Sequence, residues 1–454
     1  MRKHAHFIGI GGVSMSGLAE ILYNKGWKVT GSDSKPSDIT AHLEALGIGV
    51  AIGQRADNIT AGIDLVVYTA AVKQDNVELA AARARNLKIV DRAELLGNIM
   101  KDFSCPVCIS GTHGKTSTTS MITEILLAAG MDPSVSVGGF LNAINGNFRM
   151  GHSRYFVVES CEYADSFLKF YPSIGVILNV DRDHLDYFTD IEAIEASFRR
   201  FAQNIPDDGT LVIFGEVPLR VWEGLKCRVI TYGSEGSRVT AEDLKFDSDG
   251  FPSFRIMDNG EVIGAVRLRV HGEHNVKNAL AACAAARAAG AGSEAVITGL
   301  SRFDGVKRRF EEKGAFNGVR VIDDYAHHPT EIKATLAAVS KSDHNRIFCV
   351  FQPHTYTRTI ALLDEFARCF TDADKIIVLD IYAAREKDTG AINARTLTDH
   401  IKAAGSDAFY CPSVETARTY LMEQCVPGDI CITVGAGDVY LLGESLVGRQ
   451  FRAS

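Results

Sequence analysis

CPVCISGTHGKTSTTS, residues 105–120, is the stretch whose reading decides the fold. CPVCIS reads as a buried strand and the run from Lys115 as a helix, with glycines in the turn between them. Glycines there let backbone amides approach an anion at a helix N-terminus. Lys115 stands where β- and γ-phosphates would lie, and Thr116 offers a hydroxyl to magnesium. Gly111, Thr112, His113, Gly114, Lys115, Thr116 and Ser117 thus read as a nucleotide-phosphate loop in an α/β sheet. The motif is a compressed Walker A, because the residue five before Gly114 is Ile109 rather than glycine. A bare glycine turn is the plain alternative; the flanking strand and helix and the GKT at their join weigh against it.

Downstream, YFVVES and IGVILNV read as further strands of the same sheet. Open α/β sheets collect ligands at their strand ends, where this chain has Glu162 and then Asp181, Asp183, His184 and Asp186. Acids at such positions also serve as caps, so spacing alone does not make them metal ligands. Between about 211 and 270 the strands follow one another with turns such as SDG and DNG, which predicts an antiparallel addition. HNVKNALAACAAARAAG is helical, and its alanines are packing residues. A third strand-helix series starts at VRVIDDYA, near residue 318, and runs through RIFCVFQP, KIIVLDI and DICITVGAG.

Upstream, HFIGI, WKVTGSD, LVVYTA and KIVDR alternate with helical stretches, again the pattern of βαβ units. GIGGVSMSG follows the first strand, and Asp33 ends the second at the distance of a ribose-binding acid. Ser14 replaces the third glycine of a dinucleotide fingerprint, so the loop suits the diphosphate of NAD or of a nucleotide sugar. The expected architecture is α/β in three domains. Residues 1–101 form a Rossmann-like unit, 102–315 a P-loop-like ATPase with a parallel sheet and a small antiparallel addition, and 316–454 a second Rossmann-like unit.

Composition narrows the class. A chain of 454 residues with 46% hydrophobic and 23% charged residues is globular and too long for one core. The net charge of -8 argues against nucleic acid and anionic membranes as partners. No apolar run approaches the ~20 residues of a membrane span, which points to the cytoplasm. The ten cysteines lack the spacing of a disulfide framework and suit a reducing compartment. Cys105 and Cys108 form a lone CxxC, read as structural rather than metal-binding.

GIGGVSMSGLAE, SGTHGKTSTT, ESCEYADSF, NVDRDHLDYF, GEHNVKNALAA, GVKRRFE, DDYAHHPTE and FQPHTYTRT occur in that order. On these motifs the chain resembles the Mur ligases of peptidoglycan synthesis over essentially its whole length, and most of all their alanine-adding members. The resemblance implies an ATP-dependent amide ligase that joins L-alanine to UDP-N-acetylmuramate through an acyl phosphate. It places Lys115 on the ATP phosphates and Thr116, Glu162 and His184 around Mg2+. Asn275 and Asn278 would contact the nucleotide, Arg309 its phosphates and Asp324 its ribose side. Gly11, Gly12, Ser14 and Met15 would lie near the UDP-sugar diphosphate and Asp33 near the uridine. Tyr325, His327, His354 and Arg358 would surround the alanine, with Lys115 and Arg309 serving phosphoryl transfer and His327 assisting loss of the amine proton.

Two positions depart from the wider family. Thr355 stands where some members carry arginine, so recognition of the alanine carboxylate would lean on Arg358. Ser197 or a neighbour falls where several relatives carbamylate a lysine, as expected of alanine-adding members. A monomer or weak homodimer is expected. Alternative readings are a murein-tripeptide recycling ligase, an NAD-dependent dehydrogenase suggested by the first loop, and a non-catalytic nucleotide-gated binding protein.

Overall fold

The computed structural model describes residues 2–69, 72–384 and 386–448. Ala70, at the end of LVVYTA, and residues 449–454 of the expected third unit lie outside them.

Three sheets follow one another along the chain. The first has five parallel strands in the order Gly49–Ile52, Lys28–Asp33, His4–Ile8, Leu65–Tyr68, Lys88–Asp91. The order reverses beside His4–Ile8, and the loop after that strand carries Gly9 to Gly12 into the helix Val13–Asn24. Helix starts are capped as the sequence dictates. Ser37 and Thr40 form a capping box, and the side chains of Asn76 and Asp91 accept amides of the following first turns.

The second sheet has ten strands. Its centre is parallel, with Cys105–Ser110 between Tyr155–Glu159 and Ile174–Ile177. The chain leaves Cys105–Ser110 toward one side and returns on the other, so the loop at 111–114 sits where the order reverses. Where an antiparallel addition from about 211 was expected, Thr210–Phe214 and Arg228–Tyr232 instead continue the parallel sheet. Antiparallel pairing begins only at Val239–Phe246 and continues through Pro252–Asp258 and Glu261–Arg267. The opposite edge carries an unforeseen antiparallel hairpin, Ser134–Leu141 with Gly146–Arg149.

The third sheet runs Glu311–Phe316, Val319–Asp324, Ile430–Val434, Ile347–Phe351, Lys375–Val378, Ala408–Tyr410. Only the edge strand Glu311–Phe316 is antiparallel, and it precedes the point where this series was expected to start. Its partly exposed EEKGAF lacks the apolar run that announces a buried strand.

The first and second sheets share one apolar cluster, in which Met100 and Leu96 join Cys108, Phe156 and Phe167. Phe148 of the hairpin packs against Gly17, where an added Cβ would meet its Cγ at 2.7 Å. Asn147 Nδ2 donates to Val13 O at 2.9 Å beside it. The third sheet has its own cores, and Leu185 is the second sheet's one apolar side chain packed on them among the described residues. Polar contacts do most of the joining there: His328 Nε2 to Arg182 O at 2.9 Å, and the Thr330 hydroxyl to Asp181 at 2.7 Å. All cysteines are unpaired, and among the described residues no helix is long and apolar enough to cross a membrane.

Candidate active site

The phosphate loop is shaped by two left-handed glycines. Gly114, at φ +83°, opens the helix Lys115–Ala128, and a Cβ on it would lie 2.6 Å from Asn278 Oδ1. On Gly111, at φ +137°, a Cβ would lie 2.8 Å from Leu178 Cβ. Side chains fix the loop to the next strand end: His113 N donates to Asn179 Oδ1 at 2.8 Å and Asp181 N to Thr112 Oγ1 at 2.9 Å. Lys115 Nζ donates to Thr112 O at 3.0 Å and to Glu162 Oε2 at 2.9 Å. Burial opposes its charge, but the Glu162 carboxylate outweighs that and raises its pKa.

Glu162 is buried, and His184 Nε2 lies 3.7 Å from its Oε1. The proposed metal ligands Glu162 and His184 therefore meet beside the loop, with Thr116 buried at the first turn of its helix. Carboxylate and hydroxyl oxygens suit a hard cation such as Mg2+, and the imidazole adds one nitrogen. Ser197, expected with its neighbours to fall where relatives carry that lysine, donates its hydroxyl to Asp165.

A cavity of about 330 Å³ opens from the loop toward the third sheet. His113, Gly114, Thr116 and Ser117 line one wall, and Asn275, Asn278, Arg309 and Asp324 the others. Gly111, Thr112 and Lys115 do not line it; the lysine is turned to Glu162. Asn278 Nδ2 donates to Asn275 Oδ1 at 3.0 Å, which orients the pair. Both Asp324 oxygens accept backbone amides, from Ala326 at 2.7 Å and Phe310 at 2.8 Å, so this residue braces the wall. Burial, opposed by Arg309, raises its pKa to about 6. Neighbouring Arg308 points elsewhere, to buried Asp323 at 3.3 Å and to Gly435 O at 2.9 Å.

Sequence reasoning missed much of this wall, His274, Lys277, Phe310 and Glu331 among it. His274 and Lys277 lie inside HNVKN, where the i, i+3 spacing of Asn275 and Asn278 leaves room on the same helix face. Glu331 gave only the signal of a first-turn acid.

The four residues expected around the amino acid do cluster. The His327 ring lies 5.5 Å from Tyr325 and 5.8 Å from His354, edge-on to each. Burial lowers His327 and His354 to about 4 each, so both rings are neutral near pH 7. Arg358 bonds Asp183 Oδ1 through Nε at 3.1 Å and Nη2 at 2.9 Å, and its Nη1 meets His354 Nδ1 at 3.1 Å. Its guanidinium therefore already holds a carboxylate. Thr355, beside it, sits at φ +67°, a conformation that β-branched residues avoid.

Between the two clusters stands His113. Its Nε2 is 3.2 Å from Asp181 Oδ2 and its Nδ1 3.3 Å from Glu331 Oε1. Burial pulls its pKa down, yet those two carboxylates push it up to about 9.

In the first sheet's loop, Gly12 caps the helix Val13–Asn24, so its free amides face outward from a helix N-terminus. Ser14 is partly exposed, whereas the Met15 side chain is buried in the core and its backbone amide already donates to Gly12 O at 2.8 Å. Asp33 accepts Gly11 N at 2.9 Å and Ser34 N at 2.7 Å, so it braces the loop.

Family models match in chain order: the Mur ligase catalytic domain at residues 4–104, the Mur ligase middle domain at 109–286, and the Mur ligase glutamate ligase domain at 308–437. The chain is 51% identical over 446 residues to the UDP-N-acetylmuramate--L-alanine ligase of Acetivibrio thermocellus, covering 97% of this chain and 95% of that one. The enzyme of the same name from Agathobacter rectalis is 50% identical, with 98% and 97% covered. Among solved structures, the UDP-N-acetylmuramate-alanine ligase of Thermotoga maritima superposes with a TM-score of 0.81 at 29% identity, covering 98% of both chains. A murein peptide ligase from Psychrobacter arcticus, at 24% identity and a TM-score of 0.72 with both chains fully covered, shares the fold. With all three family models in sequence and half its residues identical to such relatives over nearly their full length, the chain belongs to the Mur ligase family.

Proposed function

We propose that the protein is an ATP-dependent ligase that joins the amine of L-alanine to the lactyl carboxylate of UDP-N-acetylmuramate, releasing ADP and phosphate. The observation that carries this reading is the identity of about half of all residues, over 97% of the chain, with ligases of that name. The site supports it: a phosphate loop and a His-Arg cluster face each other across the junction of the second and third sheets. The reaction serves peptidoglycan precursor synthesis in the cytoplasm.

A carboxylate must be activated before an amine can displace oxygen from it. ATP lies in the cavity, its phosphates toward His113–Ser117 and Arg309 and its base toward Phe214, Tyr232 and Phe303. Lys115 exchanges loop carbonyls for phosphate oxygens while keeping its charge beside Glu162. Thr116, Glu162 and His184 would hold Mg2+, which would neutralise charge on the transferring phosphoryl group. The UDP-sugar diphosphate sits at the helix start, beside Gly11, Gly12, Ser14 and Met15. Tyr325, His327, His354 and Arg358 receive alanine.

Phosphate release, measured with ATP, Mg2+, UDP-N-acetylmuramate and a panel of L-alanine, glycine, L-serine and the murein tripeptide, tests the proposal. L-alanine is expected to support the highest kcat/KM. Preference for the tripeptide, or release independent of any amine, overturns it.

A further inference from the structure

Glu331 occupies the first turn of the helix Pro329–Val339, and its carboxylate reaches both halves of the site. Oε1 lies 3.3 Å from His113 Nδ1 and 3.8 Å from Arg309 Nη1, on the nucleotide side. Oε2 accepts the backbone N–H of His327 at 3.1 Å and lies 3.4 Å from its Nδ1, on the amino-acid side. Its side chain is only 13% exposed. An acid in a first helical turn is favoured by the helix dipole anyway, but that role leaves the side chain free to point at water.

The second partner of His327 fixes its tautomer. Nδ1 is 3.0 Å from Tyr325 O, and a carbonyl only accepts, so Nδ1 carries the hydrogen. Nε2 then bears the lone pair. Among the described residues nothing hydrogen-bonds Nε2, and the ring stands edge-on to His354 in the amino-acid cluster.

We propose that Glu331 is a positioning residue: together with the Tyr325 carbonyl it holds the His327 ring in place as the Nδ1–H tautomer, so that Nε2 accepts the proton lost by the alanine nitrogen, and it ties that ring to His113 and Arg309. The inference rests on the function proposed above. In the step concerned, the neutral amine forms a bond to the carbonyl carbon of the acyl phosphate, and the carbonyl π pair moves to oxygen. The nitrogen, now positive and far more acidic than free ammonium, gives a proton to Nε2. The C=O re-forms as the carbon–oxygen bond to phosphate breaks, phosphate leaves with that electron pair, and the imidazolium returns its proton to solvent.

Full-length Glu331→Gln and Glu331→Asp, assayed with L-alanine and with hydroxylamine as nucleophile, test this. Hydroxylamine is largely neutral at about pH 7.5 and needs little help in losing a proton, so its hydroxamate product reports acyl-phosphate formation alone. In Glu331→Gln, kcat with L-alanine is expected to fall about 100-fold, and hydroxamate formation at least about tenfold less steeply than that. Glu331→Asp should recover part of the alanine-dependent rate. It also carries the comparison if Glu331→Gln does not fold. Equal losses with both nucleophiles, or no loss, overturn the inference. A wild-type protein inactive with alanine but active with another amine would instead sink the function proposed above.

Discussion

Arg358 Nη2 lies 2.9 Å from Asp183 Oδ1, across the junction between the third sheet and the second. Both side chains are about nine-tenths buried, with 11% and 8% exposure. The arginine expected to receive the alanine carboxylate thus meets a carboxylate of its own chain first.

Breaking a buried pair from one side strands the other charge. Arg358→Ala is expected to lower unfolding free energy by about 3 kcal/mol, and the double change with Asp183→Ala by less than that. Urea unfolding of wild type, both singles and the double closes the cycle. The KM for alanine should rise at least about tenfold in Arg358→Ala, with the KM for ATP nearly unchanged.

Lys115 and Glu162 should separate kinetically. Lys115→Ala removes the loop's lysine and should cut ADP release about 1,000-fold at saturating ATP. Glu162→Gln should raise the Mg2+ concentration for half-maximal rate about tenfold and narrow the gap between Mg2+ and Mn2+. A Glu162→Gln enzyme with an unchanged Mg2+ titration removes this residue from the metal site.

His113 makes the junction sensitive to pH in one direction. Its folded pKa is raised, from 6.5 to about 9, so its stabilisation is full below 6.5 and is lost as pH climbs through about 9. Asp181 and Glu331, which face it, have lowered pKa values and stay ionised throughout, while burial lowers the pKa of His328 beside it. His113→Gln should therefore be less stable than wild type by on the order of 2 kcal/mol at pH 6, with the gap closing by pH 9.5. Thermal melts across that range decide it; a gap that widens with pH refutes the assignment.

The seam between the first two sheets is testable at Gly17. Even a methyl there meets Phe148, so Gly17→Ala should cost about 1–3 kcal/mol and raise the KM for the UDP-sugar more than that for ATP. Differential scanning calorimetry and initial rates check the two halves of this expectation.

Much of this molecule was legible in its sequence because parallel strands buried on both faces appear as unbroken apolar runs, IGVI and ICITV among them. Polar edge strands leave no such trace, which hid GNFR and EEKGAF and blurred where antiparallel pairing begins. The phosphate loop was readable for a related reason: its chemistry is contiguous, so glycines, lysine and threonine arrive together. The rest of the site is assembled by contacts between distant positions. Nothing in two adjacent arginines says that Arg308 turns to Asp323 while Arg309 faces the cavity. Asp33 and Asp324 carry the residue type a ribose needs, but the fold uses both to hold backbone amides. Glu331 looked like ordinary helix grammar until its neighbours were in place.

The contrast between the two seams sets the order in which the molecule comes apart. Apolar contact through Phe148, Phe156 and Met100, with the Lys169–Asp91 ion pair beside it, makes the first two units a single anvil. The jaw that meets it is held mainly by charge: Arg358, Asp183, Thr330, Asp181 and His113. Alkali should loosen the jaw long before the anvil yields, so a protease added above about pH 9 would first cut near 303–310, where one unit passes into the other.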